Sequence, residues 1–400
     1  MENFLNLSVI QASNALSLLF IYALITDLVG LEAFGKIMFA GAVCGVAGSL
    51  VNYGTNQSGI KDVADQANSS GLGKVFTTVL FVRLLLLVAY FLLVTAYIYL
   101  EFKFYGFVLF SIPLVVAEVL NPLFFFIGIE KLRFFNLMNL TAKLLSIIGV
   151  IAFVDVESDA IWVNFIIGIS SILVYIYTVY YLIVNYKLKL ALPNSMELKL
   201  ILKDNFYLTV NNLSVQLQQS MMVFALGKWG AEIVLGAYAF CDKILWGCRV
   251  LIIAVSNAAY PKGVQLYKQS AQLWDAFRFR IKTLVTAIFL IGSLIMMLFP
   301  EVIIKILTGT EDPFAIQFLR AMALVPTVAA LNCFNVLDLL IKNKNLAIFR
   351  ISIILLFISM FCAYNFVKNQ DAVAIGYYTL IIELSAWIFY EVAIRKYKNA

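Results

Sequence analysis

Nine charged side chains stand inside long apolar stretches of this sequence: the cations Arg83, Lys143, Lys243, Arg249 and Arg320, and the acids Glu118, Asp242, Asp338 and Glu383. A charge at the centre of a membrane-spanning helix costs about 2.5–3.5 kcal/mol on insertion scales. Five cations facing lipid would cost on the order of 15 kcal/mol, comparable with the whole stability of a protein. They cannot all face lipid. Arg320 is near one end of its run and Arg83 is about 12 Å from the end of its own, whereas Lys143, Lys243 and Arg249 have no short route to water. Arginine forks bind phosphate oxygens bidentately and lysine acts as a point charge. Arg83, Lys143, Lys243 and Arg249 are therefore expected to line a lumen that attracts anionic cargo, with structural pairing to Glu118 and Asp242 as the alternative.

A carboxylate withdrawn from water can exchange protons near neutrality, which makes Glu118, Asp242 and Glu383 candidates for ion coupling. Glu118 falls beside Asn121 and Pro122, and an ion pair with Lys143 that fixes helix register competes with the coupling role. Glu383 stands alone in the last apolar run. Asp338 is four residues before Lys342, a spacing that suits a structural pair. Uncharged polar side chains add a second pattern. Thr209, Asn212, Gln216 and Gln219 follow i, i+3, i+7, i+10 and share one helix face. Gln11, Ser13, Asn14 and Ser17 form a sparser set in the first run. Amides and hydroxyls at mid-membrane depth suit sugar hydroxyls, so Asn212, Gln216 and Gln219 join the substrate-binding candidates; interhelical hydrogen bonding at about 0.6 kcal/mol per contact is the alternative.

Several chemistries are excluded or disfavoured. The absence of histidine removes histidine triads and histidine-ligated metals. The five cysteines lie in apolar stretches without CxxC spacing and read as small core residues. Gly71-Leu72-Gly73-Lys74 lacks the first glycine of a phosphate-binding loop. No catalytic residue, metal, cofactor or nucleic-acid partner is expected, and the short loops on one face disfavour an enzyme.

The elements that must position these residues are transmembrane helices. The chain has 400 residues, 63% hydrophobic and 13% charged, with mean hydropathy +0.94, against about 45–50% apolar and 25% charged in soluble domains. Apolar runs of spanning length number twelve, from about 4–28 and 35–57 through 104–127, 205–227 and 233–258 to 372–394. Nineteen lysines and arginines fall in the loops of one face and five in those of the other, so both termini are expected in the cytoplasm. The longest polar connection, Asn185 to Asp204, divides the chain into six-helix lobes at 1–190 and 200–400. Six helices per half would make the halves parallel repeats. Pro113, Pro122, Pro261 and Pro326 are expected to bend helices and free carbonyls.

A weak internal repeat supports the division. Ala23-Leu24 before Gly35-Lys36-Ile37-Met38-Phe39-Ala40 corresponds to Ala225-Leu226 before Gly236-Ala237-Tyr238-Ala239-Phe240-Cys241. The two helices exit through Asn52-Tyr53-Gly54 and Asn257-Ala258-Ala259-Tyr260-Pro261 respectively. With Val29-Gly30-Leu31-Glu32-Ala33-Phe34, these motifs resemble the Wzx-type polysaccharide flippases of the multidrug/oligosaccharidyl-lipid/polysaccharide (MOP) exporter superfamily, which also holds the MATE drug exporters. The resemblance covers the whole chain through length, helix count and paired motifs. It implies an all-α, MATE-like pair of six-helix lobes. It also implies translocation of undecaprenyl-pyrophosphate-linked oligosaccharide across the bacterial inner membrane, with the lipid bilayer and other polysaccharide-assembly membrane proteins as partners. A MATE-type exporter of small organic cations is the alternative; it would need net-negative groups in its lumen.

Overall fold

The computed structural model describes the backbone of residues 2–66, 69–99, 103–342 and 344–398, and the side chains of 20–66, 70–97, 99, 103–342 and 344–396. Every regular element among these residues is helical. That follows from the composition, because in hydrocarbon an open segment can satisfy all of its backbone groups only as a helix. In chain order the α-helices are α1 (Glu2–Asn52), α2 (Thr55–Ala64), α3 (Ser69–Tyr99), α4 (Tyr105–Phe110), α5 (Ile112–Leu120), α6 (Leu123–Gly128), α7 (Leu132–Phe153) and α8 (Trp162–Asn185). They continue with α9 (Ser195–Trp229), α10 (Glu232–Gln269), α11 (Ala271–Leu298), α12 (Pro300–Thr308), α13 (Pro313–Met322), α14 (Val325–Ile341), α15 (Asn345–Lys368) and α16 (Ala372–Lys398).

Among the described residues nine helical stretches are long and apolar enough to cross a membrane, and the chain is a multi-pass membrane protein. Their outward positions are apolar, as lipid requires: Leu92, Phe153, Ile288 and Phe357 are all more than half exposed. The expected count of twelve is not reached, for identifiable reasons. The first two runs form one helix, α1, kinked at Gly30, whose φ of 78° only glycine adopts without strain. Helices α9 and α10, with 35 and 38 residues, are long enough to span. They carry the amide stripe and the Asp242, Lys243 and Arg249 charges, which places them outside the nine. The run 104–127 is one of the nine although it is broken into α4, α5 and α6, with Pro113 in the first turn of α5 and Pro122 immediately before α6.

The chain forms two compact units, Lys36–Leu217 and Met1–Gly35 with Gln218–Ala400. The Lys36–Leu217 unit contains a core of Cys44, Val51, Leu87, Tyr90, Val115 and Val119 between α1, α3 and α5. The other unit contains one core of Ile252, Trp274, Val285, Phe334 and Leu337 between α10, α11 and α14. A second core in that unit joins Leu339, Leu355 and Tyr390 across α14, α15 and α16. There also, α1 and α10 meet backbone to backbone at the repeat glycines. A β-carbon on Gly35 would lie 2.7 Å from the Gly236 nitrogen, and one on Gly236 would lie 1.8 Å from the Leu31 carbonyl oxygen. The glycines that mark the repeat are thus required by a close approach of main chains.

Candidate functional site: a polar cavity in the Lys36–Leu217 unit

Pro122 has no N–H, so the carbonyl of Glu118, its partner in a continuous helix, loses that donor. An unsatisfied carbonyl away from water is costly. Arg83 of α3 supplies the missing donors. Its Nη1 donates to the Glu118 and Asn121 carbonyl oxygens at 3.2 and 2.9 Å. Its Nε donates to Thr55 Oγ1 at 2.9 Å, and its Nη2 donates to Asn56 Oδ1 at 2.8 Å. The guanidinium also stands 5.2 Å over the Phe124 ring and has no exposed surface. Arg83 was expected to line a lumen; here its side chain is taken up by these partners. This cation closes the break between α5 and α6, and it reaches neither lipid nor cavity.

Arg83 also orients the amides around Glu118. Because Asn56 Oδ1 accepts from Arg83, its Nδ2 turns toward Glu118 Oε1, at 3.4 Å. Asn52 Oδ1 accepts from the Asn56 backbone N–H, so Asn52 Nδ2 donates to Glu118 Oε1 at 2.7 Å. Asn121 Oδ1 accepts from the Leu123 N–H, and its Nδ2 points at Glu118 Oε2 at 3.4 Å. Three amides are thus keyed by other partners to present N–H groups to one carboxylate. The Glu118 carboxylate accepts from these amides, and Arg83 donates to the Glu118 carbonyl oxygen. Lys143 is half-buried on α7 and does not line this cavity.

Glu118 opens onto a cavity of about 410 Å³ lined by Gly41, Gly45 and Gly48 of α1, with Asn52, Asn56, Gln57 and Asn212 among its polar groups. The glycine face leaves the space open. Asn212 donates from Nδ2 to Gln57 Oε1 at 3.2 Å, and a β-carbon on Gly45 would come within 3.0 Å of Gln216 Nε2. Asn212 and Gln216, two of the expected stripe residues, therefore reach the cavity wall or its immediate neighbour. Thr209 does not, being buried with its hydroxyl donating to the Asn205 carbonyl. Gln219 is exposed and lies past Leu217, in the other unit. The side chains of Gln11, Ser13, Asn14 and Ser17 lie outside the described residues. Sequence reading missed Asn52, Asn56 and Gln57 as site residues because they looked like the polar exit of a span; the four-residue spacing of Asn52 and Asn56 was the available signal.

In the Met1–Gly35 and Gln218–Ala400 unit the remaining candidates are drawn into pairs. Arg249 Nη2 and Glu383 Oε1 are 2.8 Å apart, with both side chains mostly buried, so Glu383 is not the isolated carboxylate that was expected. Lys243 stands 5.9 Å over the Tyr22 ring, and Asp242 is its half-buried neighbour on α10. Asp338 is fully buried and, as expected, pairs with Lys342 at 2.9 Å. It also approaches Arg278 at 3.1 Å and accepts from Trp274 Nε1 at 2.7 Å, two partners that lie more than fifty residues away in sequence. Arg320 is exposed and pairs with Glu301.

The helical membrane fold is similar to that of transporters of the MOP superfamily. One is an inward-facing multidrug resistance MATE family transporter, with TM-score 0.75 and 15% identity, covering 98% of this chain and 99% of that one. Another is a MOP superfamily transporter from Pyrococcus furiosus, with TM-score 0.64 and 15% identity, covering 99% and 96%. Residues 1–266 match the family described as "Polysaccharide biosynthesis protein", and the chain belongs to that family. It is similar to the "Putative O-antigen transporter" of Escherichia coli (strain K12), 24% identical over 364 residues that cover 86% of this chain and 84% of the relative. The protein of the same description from Shigella dysenteriae is 23% identical, covering 83% of each.

Proposed function

We propose that this protein is a flippase that moves an undecaprenyl-pyrophosphate-linked oligosaccharide across the bacterial inner membrane by alternating access, with both termini in the cytoplasm. Family membership supports a polysaccharide cargo. The observation that carries the reading is the amide-rich cavity of the Lys36–Leu217 unit, because neutral donors and acceptors at membrane depth suit sugar hydroxyls and are costly to leave empty-handed in an apolar protein. Asn212 and Gln216 are cargo contacts in this reading, joined by Lys143, Lys243 and Gln219 where the path extends. Arg83, which has no exposed surface, and Arg249, paired with Glu383, contribute in this reading only where those contacts open. Ion coupling in this reading belongs to Glu118, Asp242 and Glu383, the last again requiring that pair to open.

One observation favours the alternative of a MATE-type exporter of organic cations: the charged group on the cavity wall is a carboxylate. Deleting the gene separates the two. A flippase leaves lipid-linked oligosaccharide accumulating on the cytoplasmic face of the inner membrane. Unchanged lipid-linked pools together with sensitivity to organic cations would overturn the reading.

A further inference from the structure

The cavity beside Glu118 has a polarity more specific than the class of cargo requires. All three amides around the carboxylate have their oxygens committed elsewhere, to Arg83, to the Asn56 N–H and to the Leu123 N–H. Their N–H groups converge on Glu118, so the carboxylate is locked as an acceptor. An ionised carboxylate offers about four lone-pair positions. Two of the three donors are at 3.4 Å, which leaves acceptor capacity directed at the cavity. The nearby guanidinium that would neutralise an anion has no exposed surface, and among the described lining residues Glu118 alone is charged. A phosphate or a uronate placed here would meet that charge, while the Arg83 guanidinium is buried and engaged with the Glu118 and Asn121 carbonyls, Thr55 and Asn56, so it offers such an anion no hydrogen bond. A pyranose carrying vicinal hydroxyls meets what it needs: two O–H donors for the carboxylate, and the Gln57 and Asn212 amides for its remaining oxygens. Gly41, Gly45 and Gly48 keep one wall flat enough for a ring, and a volume near 410 Å³ is within the range of small-molecule sites.

We propose that this cavity is a subsite for an uncharged sugar residue of the cargo, in which Glu118 accepts from vicinal hydroxyls and Arg83 is a positioning residue that acts through the orientation of Asn56. The proposal rests on the flippase reading for the identity of the cargo. It separates the cargo's two recognition tasks, because the pyrophosphate has no place in this subsite.

The test uses the purified full chain in detergent with three probes: fully N-acetylated chitotriose as a neutral trisaccharide whose non-reducing residue carries vicinal 3- and 4-hydroxyls, trigalacturonate as an acidic one of equal length, and tetraphenylphosphonium as an organic cation. Calorimetric titration is expected to show chitotriose binding at least ten-fold tighter than trigalacturonate. In Glu118→Gln, whose amide nitrogen would replace an oxygen that accepts either from Asn121 or from Asn52 and Asn56, chitotriose binding should fall at least ten-fold while the preference over trigalacturonate disappears. Asn212→Ala, at the cavity rim, guards against a folding failure and should weaken chitotriose several-fold at an unchanged melting temperature. For the positioning role, Asn56→Ala should reduce the neutral-over-acidic preference more than it lowers the melting temperature. Chitotriose affinity unchanged in Glu118→Gln and Asn212→Ala, or Glu118-dependent binding of tetraphenylphosphonium in place of sugar, would overturn the subsite. The flippase reading fails separately: gene deletion that leaves lipid-linked oligosaccharide pools unchanged sinks it even where chitotriose binds through Glu118.

Discussion

At the scale of single residues, Arg83 shows how a charge can be accommodated in a membrane without water. Its planar fork spans two carbonyls of a broken helix, a threonine hydroxyl and an asparagine oxygen at once. A lysine, with three donors on a tetrahedral head, cannot match that geometry. Arg83→Ala should destabilise the protein by about 3 kcal/mol or more, since hydrogen bonds to charged groups each contribute about 1.5–3 kcal/mol. Arg83→Lys should recover only part of the loss. Thermal unfolding of the purified variants checks both, and an Arg83→Lys variant as stable as the unaltered protein would mean that the fork geometry does not matter. The same residue explains why Asn56 presents its nitrogen, and not its oxygen, to Glu118.

At the scale of elements, two helix features carry measurable consequences. The approach of α1 to α10 at Gly35 and Gly236 leaves no room for a side chain, because a β-carbon at Gly236 falls 1.8 Å from a main-chain oxygen. Gly236→Ala must push the helices apart, at a cost of about 3 kcal/mol or more given that ordinary overpacking costs about 1–3 kcal/mol. A lowered melting temperature with reduced yield is the expected result, and an unaltered melting curve would contradict the close approach. The start of α9 is held differently. Asn194 and Glu197 bond reciprocally, side chain to backbone N–H, and Lys74 donates to Glu197 at 2.5 Å. The Lys74 hydrogen bond first, and the Asn194 N–H second, hold the Glu197 carboxyl below its usual range. A depressed native value means that the carboxylate stabilises the fold above the unfolded-state value, and that this contribution disappears as pH falls through the native one. Protection of the first turn of α9 against amide exchange, corrected for intrinsic rates, should therefore fall on acidification. In Glu197→Gln it should be low and independent of pH. The pair is solvated, so the effect is local to the cap.

At the scale of the whole molecule, orientation is the property open to test. From the bias of nineteen loop cations to five, the α6–α7 and α10–α11 connections are expected in the cytoplasm and the α7–α8 connection on the opposite side. Helix α10 runs to Gln269, so a reporter belongs at Ser270 and not within the helix. Fusions after Lys131 and after Ser270 should report cytoplasm, and a fusion between Val154 and Ala160 should report the opposite side. A cytoplasmic signal from all three would overturn the orientation.

Much of this protein was legible in its sequence. Composition and run length alone specified a polytopic helical protein, because hydrocarbon leaves a chain this apolar little other choice of backbone. The four-residue spacing of Asp338 and Lys342 specified their pair, and the repeated glycines marked positions that the helix contact requires. A helical pattern placed Asn212 and Gln216 on one face, and both came to the cavity or beside it. Insertion energetics led to the expectation that the five cations cannot all face lipid, but energetics of that kind counts charges without naming partners. Tertiary structure decided the partners. Arg83 lies 35 residues from Glu118 in sequence and Arg249 lies 134 from Glu383, distances over which no helical period operates. Whether such a cation meets a lumen, a carbonyl freed by proline or a carboxylate is set by which helices pack together, and packing joins residues that sequence spacing leaves unrelated.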